Sequence, residues 1–161
     1  EIPLRLVGSE MCIRDRDTRW PWTAYGGLMQ DATAAGIPLF GGNLARVEVN
    51  AHLASADAVR FPVPAARQRL SDVVLAQHAD AAPMLEGMLA VQQARDTRMA
   101  QVLTAAPAPA LLVAGRWHVL RGTGVPGYLP PDTPALVIAL ASPGETVGAA
   151  DADLLWVLDD E

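Results

Sequence analysis

Four groups of residues carry side chains fit for chemistry. The first is Gly115-Arg-Trp-His118, directly behind the apolar run Leu111-Leu-Val-Ala114. If that run is a strand, His118 stands at its carboxyl end, where α/β proteins place ligand-binding loops. Its imidazole can act as a metal ligand, an acid or base, or a hydrogen-bond partner. The plainer role is a histidine bonded to a nearby backbone carbonyl. The second group is Gln92, Arg95 and Asp96, in which Gln92 and Asp96 share one helical face. Asp96 is suited to orient His118. Arg95 is suited to pair with an anion, because the planar guanidinium fork matches carboxylates. The plainer reading is a solvated helix face. The third group, Asn43 to Arg46, follows the short apolar run Ile37-Pro-Leu-Phe40 and could line the same cleft. The plainer role for Asn43 is a turn cap. The fourth is the pair of tyrosines, Tyr25 and Tyr128. A phenolate is an anionic oxygen donor that suits ferric iron. Arg116 or Arg121, close to Tyr128 in sequence, could lower its pKa. Ordinary packing is the alternative for both rings.

Several motifs are missing. There is no phosphate-binding glycine loop, no Gly-x-Ser-x-Gly elbow and no His-Glu-x-x-His. Ser55, Ser71 and Ser142 have no motif around them, so nucleophilic hydrolysis has no support and no catalytic residue is named. His52 and His78 read as ordinary surface or helix residues.

The elements that must position these groups follow from spacing. Trp22, Tyr25, Leu28, Met29 and Ala32 recur at helical intervals, and Gly36 stops that helix. Ile37–Phe40 is expected as a strand, closed by the turn Gly41-Gly42-Asn43. Leu53 to Val59 reads as a short helix, Phe61-Pro-Val-Pro64 as an extended break, and Leu70 to His78 weakly as helix. The clearest element is a long helix from about Met84 to Thr104, spanning about 31 Å. Gly87 is its weak point, worth about 1 kcal/mol against alanine. Leu111–Ala114, Ala135–Leu140 and Asp153–Leu158 are expected as strands, and Gly115 to Pro131 as a loop. Helices between short apolar runs predict an α/β fold with a mostly parallel sheet and packed helices. The first strands of that sheet are expected in an N-terminal part that this sequence lacks.

Composition excludes several classes. The chain has 161 residues, 51% of them hydrophobic, and a net charge of −6, so it buries a core and offers no basic face for nucleic acid. No apolar run approaches the roughly 18 residues of a membrane span. All 12 basic residues are arginine, a sign of GC-rich codons. Residues 1–16 stand apart. Leu6-Val-Gly-Ser-Glu-Met-Cys-Ile-Arg-Asp-Arg16 resembles translated sequencing-adaptor DNA, so the segment is set aside from fold reasoning. It takes with it Cys12, the one cysteine and the one redox clue.

Taken in order, five segments resemble the ChaN-like haem-binding lipoprotein family. They are Trp22-Thr-Ala-Tyr25 with Gly36-Ile-Pro-Leu-Phe-Gly-Gly-Asn43-Leu-Ala-Arg46, Met88 to Ala100, Val113-Ala-Gly-Arg-Trp-His118, Gly124-Val-Pro126, and Ala152-Asp-Leu-Leu-Trp156. The resemblance covers most of residues 20–158. It implies an α/β domain with an added helical part, haem as cofactor, and tyrosine ligation of iron. It also implies dimers that pair two haems, and lipid attachment at the periplasmic face of a bacterial cell envelope. His118, Tyr128, Tyr25, Arg95, Asp96, Asn43 and Arg46 are the residues it brings forward for cofactor binding, and it does not choose between the two tyrosines. Residues 17–161 then form the C-terminal part of such a domain. The lipid anchor and a further Gly-x-x-His motif belong to the part not present here. Two other readings stand beside haem uptake. The wider superfamily, with erythromycin-esterase-like members, implies metal-dependent or acid/base hydrolysis with His118 as half of a histidine pair. The third is an interaction domain without a cofactor.

Overall fold

The computed structural model describes residues 22–54, 59–78, 80, 82–145 and 147–158. The adaptor-like segment 1–16 lies outside them. The chain divides after Gly41 into two compact units.

The first unit contributes α1, Trp22–Ala34. Its end is legible in the sequence. Gly36 takes φ +71°, a left-handed angle that glycine adopts at no steric cost. The amide of Ile37 donates to the Ala32 carbonyl at 2.9 Å and that of Gly36 to the Thr33 carbonyl at 3.0 Å. This paired pattern is the Schellman stop. The expected strand Ile37–Phe40 does not form: the segment joins no ladder among the described residues.

The second unit contains α2 (Arg46–Ala54), α3 (Ala66–Gln77), α4 (Leu85–Ala105), a one-turn α5 (Arg116–Val119), β1 (Ile138–Ala141) and β2 (Leu154–Val157). Most of the helix expected at Leu53–Val59 lies outside the described residues, and α2 begins earlier, at Arg46. Glu48 reaches back to accept the Ala45 amide at 2.8 Å, and the Asn43 side chain accepts the Leu44 amide at 2.8 Å. Half a capping box therefore starts α2.

The long helix matches its expected span to within a residue at each end. α4 packs against α2, α3 and a 3₁₀ turn at Val125–Tyr128. Leu89, Met99 and Ala100 are buried along it, and full burial of a side chain such as Leu89 is worth about 1.5–3 kcal/mol. Gly87 is no weak point here. A Cβ added to it would overlap the Leu53 carbonyl of α2 and lie 3.1 Å from the Leu53 Cα. Glycine lets the two helices meet, and that packing offsets its poor helix propensity.

The α/β class and the parallel pairing hold, but the sheet is smaller than the apolar runs imply. β1 and β2 pair in parallel with Ile138 opposite Leu154, joined through residues 142–153. Ala139 packs in a core with Leu120, Val137 and Ala152, and Ala141 is buried too, while Ile138 and Leu140 are exposed. All four residues of β2 are exposed. Leu111–Ala114 is not a strand. Leu112 and Ala114 pack on Met99, Ala100 and Val125, Leu111 and Val113 are exposed, and the segment joins no ladder among the described residues. The expected loop from Gly115 contains α5 and the 3₁₀ turn. No helix among the described residues is long and apolar enough to cross a membrane.

One ion pair fastens α3 to the chain on both sides of β1. Arg69 donates to both oxygens of Asp151 at 2.9 and 2.8 Å, and the Gly122 amide donates to Asp151 at 3.0 Å. The Arg69 hydrogen bonds hold the Asp151 carboxyl below its ordinary range, against the opposing effect of burial. A depressed carboxylate contributes stability that is present above its unfolded pKa and lost as pH falls through the folded one. Asp151→Asn is therefore expected to cost about 1 kcal/mol at neutral pH, a figure already reduced for solvent at the half-exposed arginine. Thermal melts across the acid range should show a flatter loss in the variant. Identical acid-side slopes would contradict this assignment.

Candidate functional site

α4, α5 and the turn after it bring five of the named residues together. Asp96 lies on α4 in the same buried face as Leu89 and Met99, and it is fully buried, at 0% exposure. A carboxylate in that position needs partners. His118 supplies one: its Nδ1 stands 2.5 Å from Asp96 Oδ1. Gln92, one turn earlier, places its Nε2 3.4 Å from Asp96 Oδ2 and 2.9 Å from His118 Nδ1. The positive charge of Arg95 also acts on Asp96. Burial is the largest influence and raises the Asp96 pKa. The hydrogen bond and charge of His118, the Gln92 bond and the Arg95 charge pull it back only in part.

His118 is aimed by its own backbone. Its amide closes the α5 turn on the Gly115 carbonyl at 2.9 Å. Behind it, Thr123 is buried and donates its hydroxyl to the Trp117 carbonyl at 2.9 Å. The Gly124 amide donates to the Leu120 carbonyl at 2.8 Å. Gly124 itself lies so close to the His118 carbonyl that no Cβ fits. Thr123 and Gly124 were not singled out for this part from the sequence. The signal in the sequence is Gly122-Thr-Gly124, a run of small residues just past the histidine turn.

Tyr128 closes the group. Its ring packs on Met99, Ala100 and Val125. Its hydroxyl is buried and has no hydrogen-bond partner among the described residues. Burial, with the negative charge of Asp96 added, pushes the phenol well above its ordinary pKa. The expectation that Arg116 or Arg121 would lower it fails for a physical reason. Arg116 pairs with Glu145 at 2.8 Å and lies over the Trp117 ring, and Arg121 pairs with Asp153 at 2.6 Å.

The remaining candidates lie elsewhere. Asn43 is exposed and bonds locally at the entry to α2, and Arg46 is the exposed first residue of that helix. No hydrogen bond among the described residues ties either to His118. Tyr25 sits half-buried on α1, in the first unit. A groove of about 440 Å³ beside α2 and α4, lined by Glu48, His52, Gln93 and Arg98, shares no residue with the His118 group. No set of three metal-ligating side chains occurs among the described residues.

Comparison with known proteins gives this arrangement a context. No curated protein matches the sequence. Among solved structures, the chain is similar to ChaN of Campylobacter jejuni, which binds haem cofacially, with a TM-score of 0.76 and 24% identity. The match covers 86% of this chain and 58% of that one, so the chain spans little more than half the length of ChaN. At this identity the likeness establishes the fold. A family model described as haem-binding uptake, Tiki superfamily, ChaN, matches residues 9–129. That range begins inside the segment set apart above and takes in α1 to α5, with Gln92, Asp96, His118 and Tyr128. With most of its length matched in this way, the chain belongs to the ChaN family of haem-binding uptake proteins.

Proposed function

We propose that this chain binds haem for uptake, and that the Asp96–His118–Tyr128 group is its site. The observation that carries the reading is the buried Tyr128 hydroxyl without a partner, set against the same α4 segment that anchors His118. A haem site needs an axial donor and surroundings that exclude water. The donors present fit that need: an imidazole whose Nδ1 is already engaged, and a phenol whose oxygen is not. When bound, the haem would supply an iron centre that accepts a lone pair. Tyr128 offers the oxygen donor and His118 its Nε2, Asp96 and Gln92 hold the imidazole, and Arg95 offsets the buried Asp96 charge. Tyr128 is preferred to Tyr25 because it belongs to this cluster. Asn43 and Arg46, with local contacts at the start of α2, are left outside the site.

Pairing of two copies around two haems, an envelope location and a lipid anchor belong to the same reading. They rest on the resemblance of the sequence segments, and the intact upstream gene tests the anchor through a lipobox cysteine. The direct test is haemin titration of the full 161-residue chain. A shifted, saturable haem absorbance band at about micromolar haemin is expected, an affinity near −8 kcal/mol. No shift would overturn the reading. The Asp96–His118 pair also favours a second reading, acid/base or metal-dependent hydrolysis. Zinc or manganese retained on purification and lost in His118→Ala would select it.

A further inference from the structure

A buried polar side chain is costly unless it is bonded, so the place where a chain keeps one shows what is being held. Among the described residues three polar side chains are buried: Asp96, Thr123 and Asp151. All three act on one stretch, residues 116–123, which carries His118. Asp96 meets the imidazole from α4. Thr123 donates its hydroxyl to the Trp117 carbonyl at 2.9 Å. Asp151 comes from the connection between β1 and β2 and has no part in the site described above.

Asp151 grips the stretch by its backbone. Its Oδ1 accepts the Gly122 amide at 3.0 Å, and its carbonyl accepts the Arg121 amide at 3.0 Å. Two successive amides are thus fixed to one residue. Arg69 of α3 holds the carboxylate with a bidentate pair at 2.9 and 2.8 Å, a geometry that sets direction as well as distance. A Cβ on Gly122 would overlap the Arg69 guanidinium and Asp151 Oδ1, so glycine lets the backbone come this close. Two neighbouring pairs act in the same sense. Arg121 bonds Asp153 at 2.6 Å and the Ala135 carbonyl at 2.8 Å, and Arg116 bonds Glu145 at 2.8 Å. The connection between the strands therefore holds the His118 stretch near both ends. From there the grip passes to the histidine turn through Leu120. Its carbonyl accepts the Gly124 amide at 2.8 Å and the Thr123 amide at 3.2 Å, and its amide donates to the Arg116 carbonyl at 3.3 Å.

We propose that Asp151 is a positioning residue for His118: with Arg69 it clasps the backbone at Arg121 and Gly122, and so fixes the direction in which α5 presents the imidazole to a ligand. Asp151 works through the backbone of the turn, at a distance from the ring. Its effect on binding therefore passes through His118, which separates it from an ion pair that stabilises the fold and nothing more. That the ligand is haem rests on the reading above; the clasp itself does not.

Two measurements on the full 161-residue chain test this. Both use Asp151→Asn, which keeps the size of the side chain but sets an amide nitrogen against the Arg69 guanidinium or the Gly122 amide, donor against donor. In the ligand-free protein, native-state hydrogen exchange at the His118, Leu120 and Gly124 amides should rise about tenfold more than at amides in the middle of α4. A uniform rise, or none at these three amides, overturns the proposal. Haemin affinity is then read in a double-mutant cycle. Asp151→Asn should weaken binding about tenfold when His118 is present and leave it unchanged beside His118→Ala. Equal losses in the two backgrounds would make Asp151 a stabilising residue alone and overturn the proposal, as would unchanged affinity with His118 present. If Asp151→Asn does not fold, Arg69→Met removes the support of the carboxylate and is read by the same outcomes. A wild-type chain that gives no haemin shift would remove the haem reading, and hydrogen exchange then decides on the clasp by itself.

Discussion

Gly124→Ala is expected to destabilise the second unit by about 3 kcal/mol or more, the upper range for forcing atoms into a packed site. The added Cβ would overlap the carbonyl carbon and oxygen of His118 and fall 2.7 Å from the Trp117 oxygen. These are backbone atoms, and they cannot swing aside as a side-chain tip can. They are pinned from both sides, by Thr123 Oγ1 on the Trp117 carbonyl at 2.9 Å and by the Gly124 amide on Leu120 at 2.8 Å. The φ of Gly124 is −120°, open to any residue, so the cost is one of space. In a domain of this size the loss lowers Tm by roughly 10 °C. Gly27→Ala is the internal contrast. Gly27 lies inside α1 with nothing within 4 Å of an added Cβ, so alanine should stabilise α1 by about 0.5–1 kcal/mol. Chemical denaturation of both variants reads the difference. A Gly124→Ala chain as stable as wild type would show that the turn behind His118 is not built as described.

Tyr128→Phe should move stability and binding in opposite directions. In the ligand-free protein the Tyr128 hydroxyl is buried with no partner among the described residues, and an unmet buried polar group costs about 1–3 kcal/mol. Phenylalanine keeps the ring against Met99, Ala100 and Val125 and removes that cost, so the variant should be more stable by about 1 kcal/mol. It also lacks the oxygen donor, so haemin affinity should fall about tenfold or more, the scale of one lost charge-assisted contact. An ordinary core tyrosine, with its hydroxyl bonded, would lose stability and keep affinity. A functional tyrosine bonded elsewhere would lose both. Loss of stability on substitution, measured by denaturant midpoint, would contradict the unpartnered hydroxyl. Unchanged haemin affinity would remove Tyr128 from the site.

The two halves of this site were unequally visible in the sequence. α4 could be read from its apolar spacing, and the stop of α1 from Gly36, because both are local features. The pairing of Gln92 with Asp96 was also local, one turn apart on a helix. That Asp96 faces inward depends on α5, which reaches it from far along the chain. The strands show the same limit. Ile37–Phe40 and Leu111–Ala114 are as apolar as β1 and β2, yet they join no ladder among the described residues, since a ladder needs a neighbour that a run of four residues cannot reveal. The Tyr128 environment is non-local in the same way. Arg116 and Arg121 are close in sequence, but Glu145 and Asp153 hold them, and the charge that reaches the phenol is that of Asp96.

The central claim, that the His118 cluster is where this ChaN-family chain holds its cofactor, is tested most directly by haemin affinity in His118→Ala. His52→Ala, beside the groove at α2, is the matched control. The account predicts binding weakened about 10–100-fold in the first and unchanged in the second, with both chains folded. Equal haemin affinity in wild type and folded His118→Ala would contradict it.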